Sequence, residues 1–580
     1  MTSVLGQPTA RTTGEGGPPG LPRARTGRRI LHRLSTEAGL VVLTAAVVYG
    51  VAAVLVDFRY EIFPPDSVFR MANGFYVLYS RHFHLAAIGF VWNPLTSVAD
   101  MIPLLFKDLW SPLVTRDVAA SLVTVAAMAG AVHQMRSMLE EWGLGRSVRL
   151  VLTALFALNP MIIYYAANGM SEALYVFTTV ATVRYLRRWL ADDDSRSLVY
   201  AATMLALCYL AREEAVAIAF ASGLVVLVVS MRRSGVTRRL VAGLTDATIY
   251  LFLFLSAFVG WAFASLIITG SAFAQFTSQY GNTAQIQEYG SYYHLAAGQY
   301  GARLTHEARA LEAMAPLLPV LLLVAVVVAL RRRDVQVLAP VAVLGGGIMF
   351  TLLGYLDNQV FPWFRFYILC APLEVLLLAS MVAPRPGSPD HPVAPRRWRA
   401  GAVMRRPVLG SLAAVGAAVV LVGPSLVTTA SAMDNPKIGI EESAQLAEVF
   451  HPSLFHPPPS DDAVLPIMPY LERMHLPDGD VITDDAFDCM ATTIMRSANP
   501  KIFVITNDSD FAKILADPLT WNVHYVVVPP PGGVYNAVTA SYPDLYRDGA
   551  GFTKLVHTFG PTSICPELRL YRVVGHTSGP

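Results

Sequence analysis

The sequence predicts an α-helical polytopic membrane protein with a small α/β domain at its C-terminal end. Three observations carry this. Of 580 residues, 54% are hydrophobic and 15% charged, with a mean hydropathy of +0.45, too apolar for a surface that meets water on every side. Eleven apolar stretches, near 38–56, 117–135, 148–166, 170–190, 197–211, 213–231, 245–269, 315–330, 336–355, 364–383 and 407–428, have lengths suited to a hydrocarbon layer of about 30 Å. After residue 430 the texture changes, and polar residues and prolines return.

Residues 1–35 are rich in Gly, Pro, Thr and Arg without an apolar period, which predicts a disordered basic tail. The apolar run that follows has no small-residue cleavage site behind it, so it reads as an uncleaved first span. Residues 36–430 form the membrane body, with a long first outer loop, 57–116, and a second, 270–314. Within the first, "HLAAIGFVWNPLTSVADMIPLLFKDLW" reads as amphipathic helices lying on the membrane surface. The stretches 197–211 and 213–231 meet at "AREEA" and fit either two short spans or one re-entrant pair.

With the N-terminus cytoplasmic, the clusters "RARTGRR", "RYLRRW", "MRRSGVTRR", "RRRD" and "PRRWRAGAVMRR" all face the cytoplasm, as the positive-inside rule requires. These arginines are topology determinants, and a net charge of +2 gives no reason to propose a nucleic-acid partner. An odd number of spans then puts 431–580 outside the cytoplasm. There "DVITDD", "KIFVIT", "VHYVVVP" and "LRLYRV" alternate with "FDCMATTIMRSA" and "SDFAKILAD", the pattern of an α/β domain with a largely parallel sheet. The four cysteines lack metal-site spacing. Cys489 and Cys565 lie where disulfides persist, and either form a bridge or remain buried thiols.

The same topology collects ionisable residues on the outer face: Asp57, Glu61, Asp66 and Arg70 after the first span, Glu172 in "NGMSEAL", Arg212, Glu213 and Glu214 in "AREEA", and Asp357 and Arg365 in "YLDNQVFPWFRFY". Charges at such depth are costly unless paired or wetted, and mark a candidate site. Taken singly, each also fits an interfacial anchor or a helix-dipole partner. His82, His84 and His306 show no metal-ligand spacing and read as surface histidines.

"PPDSVFRMAN", "HLAAIGFVWNPL", "NPMIIYYAANGMSEALYVF", the outer "REE", "FRFYILCAPLE" and the terminal α/β domain together resemble the GT-C superfamily of polytopic glycosyltransferases. The likeness is to actinobacterial members related to the dolichyl-phosphate-mannose and aminoarabinose transferase group. It implies an enzyme that moves a sugar, mannose or arabinofuranose, from a polyprenyl-phosphate donor to a cell-envelope glycan, lipid or protein acceptor outside the cytoplasm. By this resemblance Asp66 matches the first-loop acid that serves as catalytic base or metal ligand, and Arg365 a residue that meets the donor phosphate. Many relatives carry paired acids where this chain has a lone Asp66, so no metal ligand set is assigned; a divalent cation stays open as a cofactor.

The chemistry needs a carboxylate to take the acceptor proton and fixed positive charge on the leaving phosphate. Asp66 fits the first role. Arg365 fits the second, followed by Arg70 and Arg212. Single displacement would invert the anomeric centre. Glu172, Glu213, Tyr280, Asn282 and Asp357 are candidates for substrate contact, Tyr280 and Asn282 equally for an aromatic interfacial belt. Two other classes compete: a transporter, disfavoured because few charges lie at span centres and no internal repeat is evident, and a cell-envelope scaffold, which would need neither Asp66 nor Arg365.

Overall fold

The computed structural model describes residues 36–233, 238–289, 300–384, 408–532 and 535–577. The tail 1–35 and the arginine-rich stretch 385–407 lie outside the described residues. Each of the eleven apolar stretches falls on helix. By length and hydropathy, seven helices among the described residues can cross a membrane: Glu37–Tyr60, Val118–Glu141, Ala215–Arg233, Arg239–Thr269, Leu338–Leu356, Phe364–Val382 and Gly410–Met433. Gly301–Met314 and Leu318–Arg332, bent by 73° at their junction, make an eighth if they form one span. The last part of 270–314 is helix, Tyr300–Met314. "AREEA" is a tight turn between two separate helices, Ser195–Ala211 and Ala215–Arg233.

Local chemistry sets the first boundaries. The Thr36 side chain accepts from the Gly39 N–H and caps the first helix. That helix runs through a π-helical turn, Leu55–Tyr60, and stops at Glu61, which is left-handed at φ 49°. The next helix, Pro65–Tyr79, starts on a proline in its first turn, where no N–H is needed. Arginine networks gather at the far end of the bundle. Glu37 pairs with Arg136, Arg146 and Arg149, and Glu141 with Arg184 and Arg187.

The C-terminal domain holds a five-stranded sheet of β1 (Val481–Ile482), β2 (Phe503–Val504), β3 (Tyr525–Val528), β4 (Thr553–Phe559) and β5 (Leu568–Val573), in the order β2-β1-β3-β5-β4. β1 is parallel to β2 and β3, while β5 is antiparallel to β3 and β4. The sheet is therefore mixed, not largely parallel. Strand β4, "TKLVHTF", escaped the pattern because it is an edge strand whose residues are mostly exposed.

Cys489, on helix Asp488–Arg496, is bonded to Cys565, just before β5, with a Cα–Cα distance of 4.8 Å. The bridge spans 76 residues. Cys565→Ser should cost the domain about 2–4 kcal/mol, read as a lower melting temperature under non-reducing conditions; an unchanged melt, together with free thiols at both positions in the unaltered protein, would refute the linkage.

The first outer loop and the C-terminal domain share one core. Met71, Phe75 and Leu104 from the loop pack in the same buried cluster as Ile467, Met490, Ile494 and Phe503. Arg81 adds ion pairs to Asp508 and Asp510, and His84 meets Asp508 at 3.2 Å. His84 is thus an interdomain contact and not a free surface histidine. On its outer side the loop leaves Phe83, Leu85, Ile102, Phe106 and Leu109 exposed.

Candidate functional site

Arg365 sits in a single turn of 3-10 helix, Phe364–Tyr367, that opens into helix Cys370–Val382. Its guanidinium reaches carboxylates from three other parts of the chain: Asp66 at 2.8 Å, Glu441 at 3.0 Å and Glu172 at 3.4 Å. Glu172, at the start of helix Glu172–Asp192, also accepts from Arg212 at 2.6 Å. Arg212 closes a second pair with Glu214 at 2.7 Å. The backbone must come close for this. Gly169 is left-handed at φ 73°, and a Cβ there would collide with Ser67 and Ala120, beside Asp66.

Arg365 and Glu172 are buried, with side chains 5% and 1% exposed, whereas Asp66 is 29% exposed. Asp66 is therefore the member of the cluster that an incoming molecule can touch. Burial works against its charge, but the guanidiniums of Arg365 and Arg70 outweigh it and hold the carboxyl below its ordinary range. It is ionised at neutral pH.

Arg70 lies on the same helix as Asp66, one turn on. Among the described residues it makes no contact ion pair; its guanidinium lies over the Trp92 ring at 5.2 Å, and its Nε is buried without a hydrogen-bond partner. Burial outweighs Asp66 and lowers the arginine below its usual value. Behind it Asp100 is fully buried with both carboxyl oxygens unpartnered, and burial raises that acid well above its ordinary range. Arg365 thus meets three acidic side chains, whereas Arg70 makes no contact ion pair among the described residues.

Three groups escaped the sequence reading. Glu441 and Glu442 open helix Ile440–Gln445, just beyond the last span. Burial pushes Glu441 up to about 8 despite Arg365, and Glu442 accepts from the Tyr165 hydroxyl at 2.7 Å. Asp488, in the first turn of its helix, is raised to about 6, first by burial and then by Asp66 nearby. All three come from the region read only as a separate domain, and no local pattern links them to Asp66.

Other expected residues lie elsewhere. Asp357 is exposed at the end of helix Leu338–Leu356 and joins none of these ion pairs. Burial, and then Glu214, raise the Glu213 carboxyl to about 7, and Arg212 pairs with Glu214 instead. Tyr280 reaches the C-terminal domain, donating to Asp484 at 2.8 Å. The Asn282 side chain lies outside the described residues. Asp57 accepts from Ser121 at 2.9 Å, and Glu61 pairs with Arg116. Among the described residues no group of three or more His, Cys, Asp and Glu is arranged to hold a metal ion.

This arrangement of helices has solved counterparts. The chain aligns over 95% of its length with 98% of ArnT from Cupriavidus metallidurans, solved bound to undecaprenyl phosphate, at 13% identity and a TM-score of 0.51. The chain shares the fold of that protein. The oligosaccharyltransferase AglB from Archaeoglobus fulgidus, in complex with an inhibitory peptide and a dolichol-phosphate, aligns with 93% of this chain and 74% of its own at 10% identity and a TM-score of 0.39. That overlap is too loose to argue from. No family model and no curated protein matches the sequence.

Proposed function

We propose that the protein is a membrane glycosyltransferase that moves a sugar from a polyprenyl-phosphate donor to an extracytoplasmic acceptor. The observation that carries this reading is the convergence of an accessible, ionised Asp66 with Arg70, Arg212 and Arg365 at one end of the helical bundle, under the C-terminal domain. The fold shared with ArnT, and the undecaprenyl phosphate that ArnT binds, support it.

In the proposed step the acceptor oxygen attacks the anomeric carbon and its proton passes to Asp66. The bond from that carbon to the phosphate oxygen breaks, and the electron pair leaves with the polyprenyl phosphate. Arg70 takes up the growing charge. The new bond forms opposite the broken one, so the configuration inverts. Arg365 acts behind this pair: it fixes Asp66 against Glu172 and Glu441 and keeps the carboxylate ionised. Mannose and arabinofuranose on a decaprenyl-type carrier are the first donors to test. The assay is transfer from radiolabelled polyprenyl-phosphate sugars by purified protein, with product anomers assigned by NMR; retention, or no transfer from any such donor, would overturn the reading.

The proposal requires the site to face outward. The glutamate–arginine networks on Glu37 and Glu141 lie at the opposite end of the bundle, which supports a cytoplasmic N-terminus. A reporter fused after Pro580 should be active only outside the cytoplasm, and cytoplasmic activity would remove the site from its donor and acceptor.

A further inference from the structure

In an α/β sheet, ligands bind beyond the carboxyl ends of the parallel strands, where neighbouring connections leave in opposite directions. In this domain β1 connects onward to β2 on one side, and β3 onward to the β4–β5 pair on the other. The crevice between the ends of β1 and β3 is therefore the expected place. Three features meet there. Asp484, just after β1, accepts from the Ala537 N–H at the start of helix Ala537–Ser541, which follows β3. Asp485 accepts from the Thr506 N–H and hydroxyl, just after β2. Tyr280, from the second outer loop of the membrane body, puts its hydroxyl on Asp484 and its ring edge-on to Tyr535 at 5.0 Å.

Beside them opens a groove of about 390 Å³, lined by Tyr280, Tyr535, Phe511, Tyr542, Thr506 and Ser541. That volume lies within the range of small-ligand sites. Aromatic rings beside the hydroxyls of Thr506 and Ser541 suit a sugar: its C–H faces pack on the rings and its hydroxyls bond to the side-chain hydroxyls.

The groove is joined to Asp66 by one rigid element. Helix Pro65–Tyr79 carries Asp66 at one end and Tyr76 near the other. Tyr76 packs in the same buried core as Val481 of β1 and Phe503 of β2, and Asn73, on the same helix, accepts from the Asn507 side chain at 3.2 Å, which places that end of the helix against the strands that lead to Asp485 and Thr506. Ten residues of α-helix separate the two by about 15 Å, the reach of several sugar rings.

We infer that this groove binds the acceptor as an extended glycan chain whose growing end lies at Asp66. The inference rests on the transferase reading for its purpose but not for its test. Binding of an α-mannotetraose and an α-arabinofuranotetraose to the full-length protein in nanodiscs, without donor, is measured by saturation-transfer NMR and calorimetry. One tetrasaccharide should bind at least tenfold more tightly than its disaccharide. Tyr535→Ala, which removes one ring, and Ser541→Trp, which fills the groove, should each weaken it on the order of tenfold. Failure of both tetrasaccharides to bind, equal affinity for the disaccharide, or unchanged affinity in the two groove variants would overturn the inference. Since no donor is present, these results do not depend on transfer; glycan binding with no transfer from any donor would remove the transferase reading alone.

Discussion

Asp66→Asn should lower glycosyl transfer by on the order of 10²-fold or more, the usual scale of general-base assistance, with donor affinity changed only a few-fold. The substitution keeps the shape and one acceptor oxygen for Arg365 but removes the charge that takes up the proton. Asp57→Asn and Glu61→Gln are the controls. Asp57 is engaged by Ser121 and Glu61 by Arg116, so both should be mild. Near-normal transfer by Asp66→Asn, with either control inactive, would move the base to the other carboxylate. A chelator separates base from metal ligand. Transfer that survives chelation leaves Asp66 as a base, and abolition recasts it as a ligand. The pH profile adds a second check. Asp66 is held below its ordinary range by its guanidinium neighbours, so it stays ionised down to pH values below that range. An acid limb near 6 would report Asp488, whose carboxyl is raised to about 6, and Asp488→Asn should remove it.

The membrane body was legible because its signal is local. Each span is a continuous apolar run, and every run expected from composition lies on helix. The outer charges could also be found, since a carboxylate or guanidinium stands out in such a chain; Asp66, Glu172, Arg212 and Arg365 do form one network. What the pattern could not carry is partner choice. Arg365 stood out as a phosphate ligand because the count of carboxylates around it depends on Glu441, 76 residues further on, across the last span. Arg70 ranked second because nothing in "DSVFRMAN" says that it will be buried over Trp92 without a carboxylate. Asp488 was hidden for the same reason: its meeting with Asp66 comes from the docking of the C-terminal domain on the first loop, through a buried core to which both Phe75 and Ile494 belong. Strand β4 shows the converse, a short-range failure, where a polar edge strand has no apolar alternation to read.

The second large effect separates the two arginines. Arg365→Met removes the partner of Asp66, Glu172 and Glu441 at once and leaves buried acids facing one another. Breaking a buried ion pair costs about 3–5 kcal/mol, a large part of the total stability of an ordinary protein, so this variant should melt far below the parent or fail to accumulate. The loss should be greatest at neutral pH and shrink with acidification, because the lowered pKa of Asp66 means its share of the stability is present above the unfolded value and is lost as pH falls through the folded one. Arg365→Lys keeps a charge but cannot reach three carboxylates with one planar fork, and should fall between. Arg70→Gln breaks no contact ion pair and should shift the melt much less. Its effect should appear in the donor: a charged hydrogen bond is worth about 1.5–3 kcal/mol, or roughly 10- to 100-fold in affinity for polyprenyl phosphate. Thermal melts and polyprenyl-phosphate titrations on the same preparations test both. An Arg365→Met protein that melts normally but no longer binds polyprenyl phosphate, beside an Arg70→Gln protein that binds it well, would return the phosphate to Arg365, the residue the sequence pattern favoured.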